Sequence, residues 1–194
     1  MRYNDVICGR AFPADFKINK NELAARLASS TDDDKIKELI EEHNSAVSYR
    51  YAYAVMPVNV IDDIIEFDFM RIQSKSLAKV LDGSKQVVLI AFSSGIDIDR
   101  LISKKQYISN AEAFILDAIA SAGVESFANY VCNAICAGKQ TTKRFSPGYA
   151  DFPLESQNKI LKRLDAQNTV GITLSNDLLM IPMKSITAVI GIKK

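Results

Sequence analysis

With His43 as its single histidine, this chain has no means to build a histidine-rich metal centre. Cysteine is almost as sparse. Cys8, Cys132 and Cys136 form an odd set of three, and a thiolate zinc site built on them would need an unusual fourth ligand. Cys132 and Cys136 stand four apart, not in a Cys-x-x-Cys redox spacing, and are expected as small buried hydrophobes. All three are expected as free thiols in a reducing cytoplasm. Net charge is lacking too: 24 Lys and Arg face 23 Asp and Glu, for a formal +1. That removes the clustered cations on which general binding to nucleic acid or to an anionic membrane depends. No segment reaches the ~20 apolar residues of a membrane span, and the first twelve residues, MRYNDVICGRAF, have no apolar core of signal-peptide length. Internal repeats and low-complexity tracts are absent, as is any His/Ser/Asp or Cys/His arrangement for nucleophilic catalysis.

What is there reads as an ordinary globular chain. Its 194 residues, 48% apolar and 24% charged, suit one compact domain over 1–194. Amphipathic helices are expected over Glu22–Ala28 and after the acidic start Asp32-Asp33-Asp34. In the second, Ile36, Leu39, Ile40 and Val47 share a side and His43 lies on a solvated face. Tyr49 to Val55 puts its bulky residues at every second position, a strand period ended by Pro57. Ile64 to Ile72 alternates again, with Ile65, Phe67 and Phe69 on one face. A short helix over Leu77–Leu81 stops at Asp82-Gly83, and Gln86–Phe92 reads as a buried strand. Ser93-Ser94-Gly95 then ends that strand.

The longest periodic run, Ala111 to Ala137, is a helix apolar nearly all round, closed by Gly138. One stripe differs: Asp117, Ser121, Glu125 and Asn129 recur every four residues and lie above one another. A loop, Lys139 to Pro153, precedes a helix over Leu154–Leu164. Short strands follow near Val170–Leu174, Leu178–Ile181 and Ser185–Ile192. The order implies an α+β fold, a twisted and mostly antiparallel sheet with flanking helices.

The loop holds the chemistry. In Arg144-Phe145-Ser146-Pro147-Gly148-Tyr149-Ala150-Asp151-Phe152-Pro153, Pro147 fixes its own φ and biases Ser146 towards extended geometry. Gly148 permits a positive φ or a close backbone approach. A rigid loop with one guanidinium and an aromatic face suits a small zwitterionic or carboxylate-bearing ligand. A plain Pro-Gly turn with Tyr149 packed as core fits the same pattern.

The run RFSPGYADFPLESQ resembles the Arg-x-x-x-Gly-Tyr signature in the AdoMet pocket of the activation domain of cobalamin-dependent methionine synthase. Ala118-Ile119-Ala120 through Glu125-Ser126-Phe127-Ala128-Asn129-Tyr130 is similar to that domain's long helix, which carries a glutamate at the place of Glu125. Gly171-Ile172-Thr173-Leu174-Ser175 and Met180 to Ala188 (MIPMKSITA) are similar to its terminal strands. The blocks agree in spacing and order over roughly residues 86–192, and the first 85 residues resemble the short, single-domain versions of the family.

The resemblance implies a cofactor site for S-adenosylmethionine (AdoMet) made by Glu125, Arg144, Phe145, Ser146, Gly148, Tyr149 and Ala150. Arg144 takes the methionine part, Gly148 and Tyr149 lie against the ligand, and Glu125 stands near it. The guanidinium suits a carboxylate, the acid an amino group, and the aromatic face a sulfonium. The synthase's further pocket tyrosine and its N-terminal acidic contact have no counterpart here, which implies modest affinity. In the family AdoMet methylates a corrinoid after one-electron reduction of cob(II)alamin. With no Asp-x-His-x-x-Gly motif here, the cobalamin is expected on a partner, a cobalamin-binding methionine synthase or another corrinoid methyltransferase, with an electron donor such as a flavodoxin. The rival expectation is a non-catalytic docking or corrinoid-handling protein that has lost AdoMet.

Overall fold

A computed structural model describes residues 5–27 and 33–193. The expected helix starts and ends at Ala28 and Asp32 lie outside the described residues. The architecture is α+β, as the pattern implies. Its main sheet has five strands in the order β1-β2-β6-β10-β7, every neighbour antiparallel: β1 (Ile7–Ala11), β2 (Tyr49–Pro57), β6 (Ser84–Ser93), β10 (Ser185–Lys193) and β7 (Gln140–Thr141). β8 (Thr173–Leu174) and β9 (Met180–Ile181) pair with each other apart from it. β1 goes unrecognised in the sequence because five residues interrupted by Gly9 carry little periodicity. Gly9 lies beneath the Tyr51 ring of the neighbouring strand, and a Cβ there would meet the tyrosine hydroxyl and displace the ring.

Alternation sorts the sheet's side chains into two cores. Tyr49, Tyr53, Val88, Ile90, Phe92, Ala188 and Ile190 face the long helix α5 (Asn110–Ile135). Ala52, Ala54, Met56, Val87, Leu89, Ala91 and Val189 face the other way, against α3 (Lys75–Leu81), α6 (Ser156–Arg163) and α7 (Ala166–Thr169). Phe127 of α5 is fully buried with ring centroids 4.7 Å from Tyr49 and 5.5 Å from Phe92, contacts worth about 0.5–1.5 kcal/mol each beyond their buried area.

α5 is apolar on most sides because the sheet and three helices surround it. Val124, Phe127, Ala128 and Val131 meet the sheet. Ile115, Ala118, Ile119 and Ala122 meet α1 (Lys20–Ala24) and α2 (Asp33–Ala46). Leu116 and Ala120 meet α4 (Ile96–Gln106), a helix the sequence reading passes over because its apolar positions are few and its first turn is acidic. The stripe Asp117–Ser121–Glu125–Asn129 lies outside these contacts and stays part-exposed or exposed.

Three expectations need correction. Ile64 to Ile72 is not one strand: β4 (Ile64–Glu66) and β5 (Arg71–Gln73) form a hairpin closed by Phe67 N–H donating to the Met70 carbonyl at 2.9 Å, with β3 (Asn59–Ile61) pairing on the other side of β4. Alternation cannot tell one long strand from two short ones when the turn itself contains Phe67 and Phe69. α1 begins two residues early, at Lys20, where the Asn19 side chain accepts from the Asn21 and Glu22 amides, and it ends at Ala24, short of the expected Ala28. His43 is not solvated; it is completely buried. It continues the Leu39 side of α2 by one turn and enters the space left by Gly123 of α5. There its Nδ1 lies 3.1 Å from Asn44 Oδ1 and its Nε2 a long 3.4 Å from the Tyr49 hydroxyl. Burial holds its pKa below the ordinary 6.5, which keeps the imidazole neutral at pH 7.

Candidate functional site

The polar stripe of α5 is met by two cations. Lys184, just before β10, donates to Asp117 Oδ1 at 2.7 Å and to the Ser121 hydroxyl at 2.9 Å. One turn further along, Arg144 Nη2 donates to Glu125 Oε2 at 2.8 Å and to Asn129 Oδ1 at 2.9 Å. A helix face that carries two carboxylates in a neutral protein is thereby balanced by residues far away in sequence.

Arg144 reaches the stripe because its loop is fastened on both sides. The Phe145 amide and carbonyl pair with those of Val189 on β10, at 3.0 and 2.9 Å. The Phe145 ring stacks on fully buried Phe152 at 6.2 Å. Between them the chain turns back: Gly148 N–H donates to the Phe152 carbonyl at 2.8 Å and Tyr149 N–H to the Ser146 carbonyl at 3.2 Å. Gly148 has φ +87 and Ala150 φ +50, so the turn uses the left-handed region twice. A side chain at 148 would be strained by that φ and would also press to 3.3 Å from Leu154 Cδ1.

Asp151, to which the sequence reading assigns no part, ties the loop to α3. Its carboxylate accepts from the Ser74 hydroxyl (2.7 Å), the Lys75 amide (2.7 Å) and the Ser76 amide (3.1 Å). Ser74 Oγ in turn accepts from Leu77 N–H at 3.1 Å, so the first turn of α3 is fully capped, partly from 76 residues away. The hydrogen bond from Ser74, with those of Ser76 and Lys75, pulls the Asp151 pKa from 3.8 down to about 2. A depressed carboxyl pKa contributes stability that is complete above the unfolded value and is lost as pH falls through the folded one. Asp151→Asn is therefore expected to melt below the wild type at pH 7, with the gap closing between about pH 4 and pH 2. Parallel thermal melts across that range check it; a gap independent of pH would mean that the charge of Asp151 plays no part.

Between α5, the 141–149 segment and β10 lies a cleft of about 470 Å³, within the roughly 300–1,000 Å³ of small-molecule sites. Of the expected site residues, Glu125, Arg144, Phe145, Ser146 and Tyr149 line it together; Gly148 and Ala150 shape the turn behind Tyr149 without lining it. Tyr149 is 65% exposed at the rim and does not pack as core, while the Arg144 side chain keeps 21% exposure. Cys132 and Cys136 are half-buried at the far end of the cleft beside Thr141 and Thr142, rather than closed into the core. Burial pushes the Cys132 thiol up to about 12 against the opposing pull of Arg144, so it stays protonated. Asn129 belongs to the site as well, and the four-residue stripe was its signal in the sequence. Lys184 had no signal beyond being a cation in a strand-like run.

A guanidinium beside a carboxylate, with an exposed aromatic ring on the same cleft, fits a ligand that carries a carboxylate and an ammonium at one end. Among the described residues no three His, Cys, Asp or Glu side chains converge as a metal site, and no helix is long and apolar enough to cross a membrane. No protein-family model and no curated protein matches the sequence. A solved structure of the MetH reactivation domain bound to AdoHcy is similar to this chain with a TM-score of 0.70 at 15% identity, over 96% of this chain and 78% of that one. At that identity the likeness is one of architecture: the chain has the fold of the MetH reactivation domain.

Proposed function

We propose that this chain binds AdoMet in the cleft between α5 and the 139–153 loop and serves, in trans, the reductive methylation of cob(II)alamin on a cobalamin-dependent methionine synthase. The observation that carries the reading is the meeting of Arg144 and Glu125 at 2.8 Å on the wall of a cleft with Tyr149 at its rim. Their charges match the two ends of an amino acid zwitterion. The Tyr149 ring, open to solvent, offers its face to a sulfonium by cation–π attraction. AdoMet supplies the methyl group; the chain holds it in place at a mouth open enough for a second protein to approach. That contribution is one of proximity and orientation, and it asks no side chain to act as acid or base. The corrinoid and the electron, from a donor such as a flavodoxin, come from partners.

The test mixes cob(II)alamin-loaded methionine synthase lacking its own activation domain, a one-electron reductant and methyl-labelled AdoMet, with and without this protein. Label is expected in the cobalamin only when the chain is present. Equal labelling in its absence overturns the reading. One observation favours a second reading: Arg144 is already satisfied by Glu125 and Asn129 without any ligand, as a docking protein that has no use for AdoMet would have it. Under that reading AdoHcy, at millimolar concentration, gives neither heat of binding nor a shift in melting temperature, whether or not the cobalamin protein is present.

A further inference from the structure

A guanidinium can meet a carboxylate with two parallel N–H bonds along either of two edges, Nε–Nη2 or Nη1–Nη2, and each edge needs a hydrogen on Nη2. In this chain Nη2 of Arg144 already donates twice, to Glu125 Oε2 and to Asn129 Oδ1. Both of its hydrogens are committed, so neither edge is open to a ligand carboxylate. A ligand carrying only a carboxylate is left with single bonds to Nη1 or Nε. A ligand that also brings an ammonium can take over Glu125 and release one Nη2 hydrogen, which restores a complete edge for its own carboxylate.

That exchange works only if Arg144 stays where it is when Glu125 lets go. We infer that Asn129 is the positioning residue that retains Arg144 during the exchange and so makes the cleft selective for a free α-amino acid end, carboxylate and ammonium together. The hydrogens balance: one Nη2 hydrogen remains on Asn129 Oδ1, the other joins Nη1 or Nε in a two-bond edge, and Glu125 accepts from the ligand ammonium. Asn129 is fit for this because it lies one helical turn beyond Glu125 on the same face of α5 and presents a side-chain oxygen to the Nη2 hydrogen that Glu125 does not take. Without it, a long side chain that leaves its backbone in a loop follows Glu125 or turns to solvent, and the ligand must order it again.

The inference rests on the proposed reading of the cleft. Its test compares wild type, Asn129→Leu and Asn129→Asp by calorimetric titration with three probes. AdoHcy carries both charges, its desamino analogue carries the carboxylate alone, and 5′-methylthioadenosine carries neither. Wild type is expected to bind AdoHcy at least about tenfold more tightly than the desamino analogue, the loss of one charged contact. Asn129→Leu is expected to lower AdoHcy affinity about tenfold, and Asn129→Asp, which keeps an acceptor oxygen, to stay within about threefold of wild type. Affinity for 5′-methylthioadenosine is expected to be the same in all three. Asn129 is exposed, so both variants should melt at the wild-type temperature. The inference is overturned if Asn129→Leu binds AdoHcy as wild type does, if it weakens 5′-methylthioadenosine equally, or if Asn129→Asp fails to rescue. If wild type binds AdoHcy but does not distinguish the desamino analogue, selectivity for the zwitterion fails while AdoMet binding stands. If wild type binds no AdoHcy at all, the proposed function falls and this inference with it.

Discussion

Replacing Arg144 with alanine is expected to weaken AdoHcy binding by about thirty- to a hundredfold, while the circular dichroism spectrum and melting temperature stay close to those of the wild type. Losing a charge-assisted contact to a ligand carboxylate typically costs about 2–3 kcal/mol, which converts to that factor. Folding loses far less. The partner of Arg144, Glu125, keeps 37% of its side-chain surface exposed and is rehydrated when the arginine goes, and an ion pair so open to water contributes at most about 1 kcal/mol. The loop does not depend on the guanidinium either, because Phe145 holds it to Val189 through the backbone and Asp151 holds it to α3. Calorimetric titration with a parallel thermal melt separates the two effects. A variant that unfolds instead would assign Arg144 to the scaffold.

The second large effect concerns stability. Gly123→Val is expected to cost about 3 kcal/mol, lowering the melting temperature by roughly 6–12 °C in a chain of this size. A Cβ at 123 would stand 2.5 Å from the Tyr49 hydroxyl and 3.1 Å from His43 Nε2. Neither can step aside. His43 is completely buried, and Tyr49, 2% exposed, is wedged between the rings of Phe16 at 5.1 Å and Phe127 at 4.7 Å. Alanine gains about 1 kcal/mol over glycine in helix propensity, so Gly123→Ala should lose less than Gly123→Val. Tyr49→Phe, by removing the oxygen that the new Cβ meets first, should recover part of the loss in a Gly123→Ala background. If Gly123→Val melts with the wild type, α2, α5 and β2 leave room for a side chain at 123.

Elements whose chemistry is local were legible in the residues. The period of two in Tyr49–Val55 and the unbroken apolar run of Val87–Phe92 identify β2 and β6, because both patterns lie between immediate neighbours. The 26-residue helix α5 has the same legibility, and its polar stripe stands out against apolar surroundings. The loop RFSPGYADF announces itself through a proline, a glycine and a lone arginine within five residues. Five of the seven residues assigned to the ligand by resemblance do line one cleft. β1 and α4 were missed because their patterns are short or charged, and tertiary packing decides them.

What the sequence determined by itself was the α+β class, the long buried helix and the loop that carries Arg144, since propensity, periodicity and turn chemistry act between neighbours along the chain. Tertiary structure alone decided the partners. It brought Arg144 to Glu125 and Asn129, Lys184 to Asp117 and Ser121, Asp151 to the start of α3, and His43 into the space beside Gly123. Those pairs are separated by between 15 and 80 residues, as 15 for Arg144–Asn129 and 76 for Lys75–Asp151. A charge or a missing side chain has no local signature that names its partner; only the closing of the sheet against α5 brings the two within reach, where burial makes an unpaired charge or an unfilled space costly.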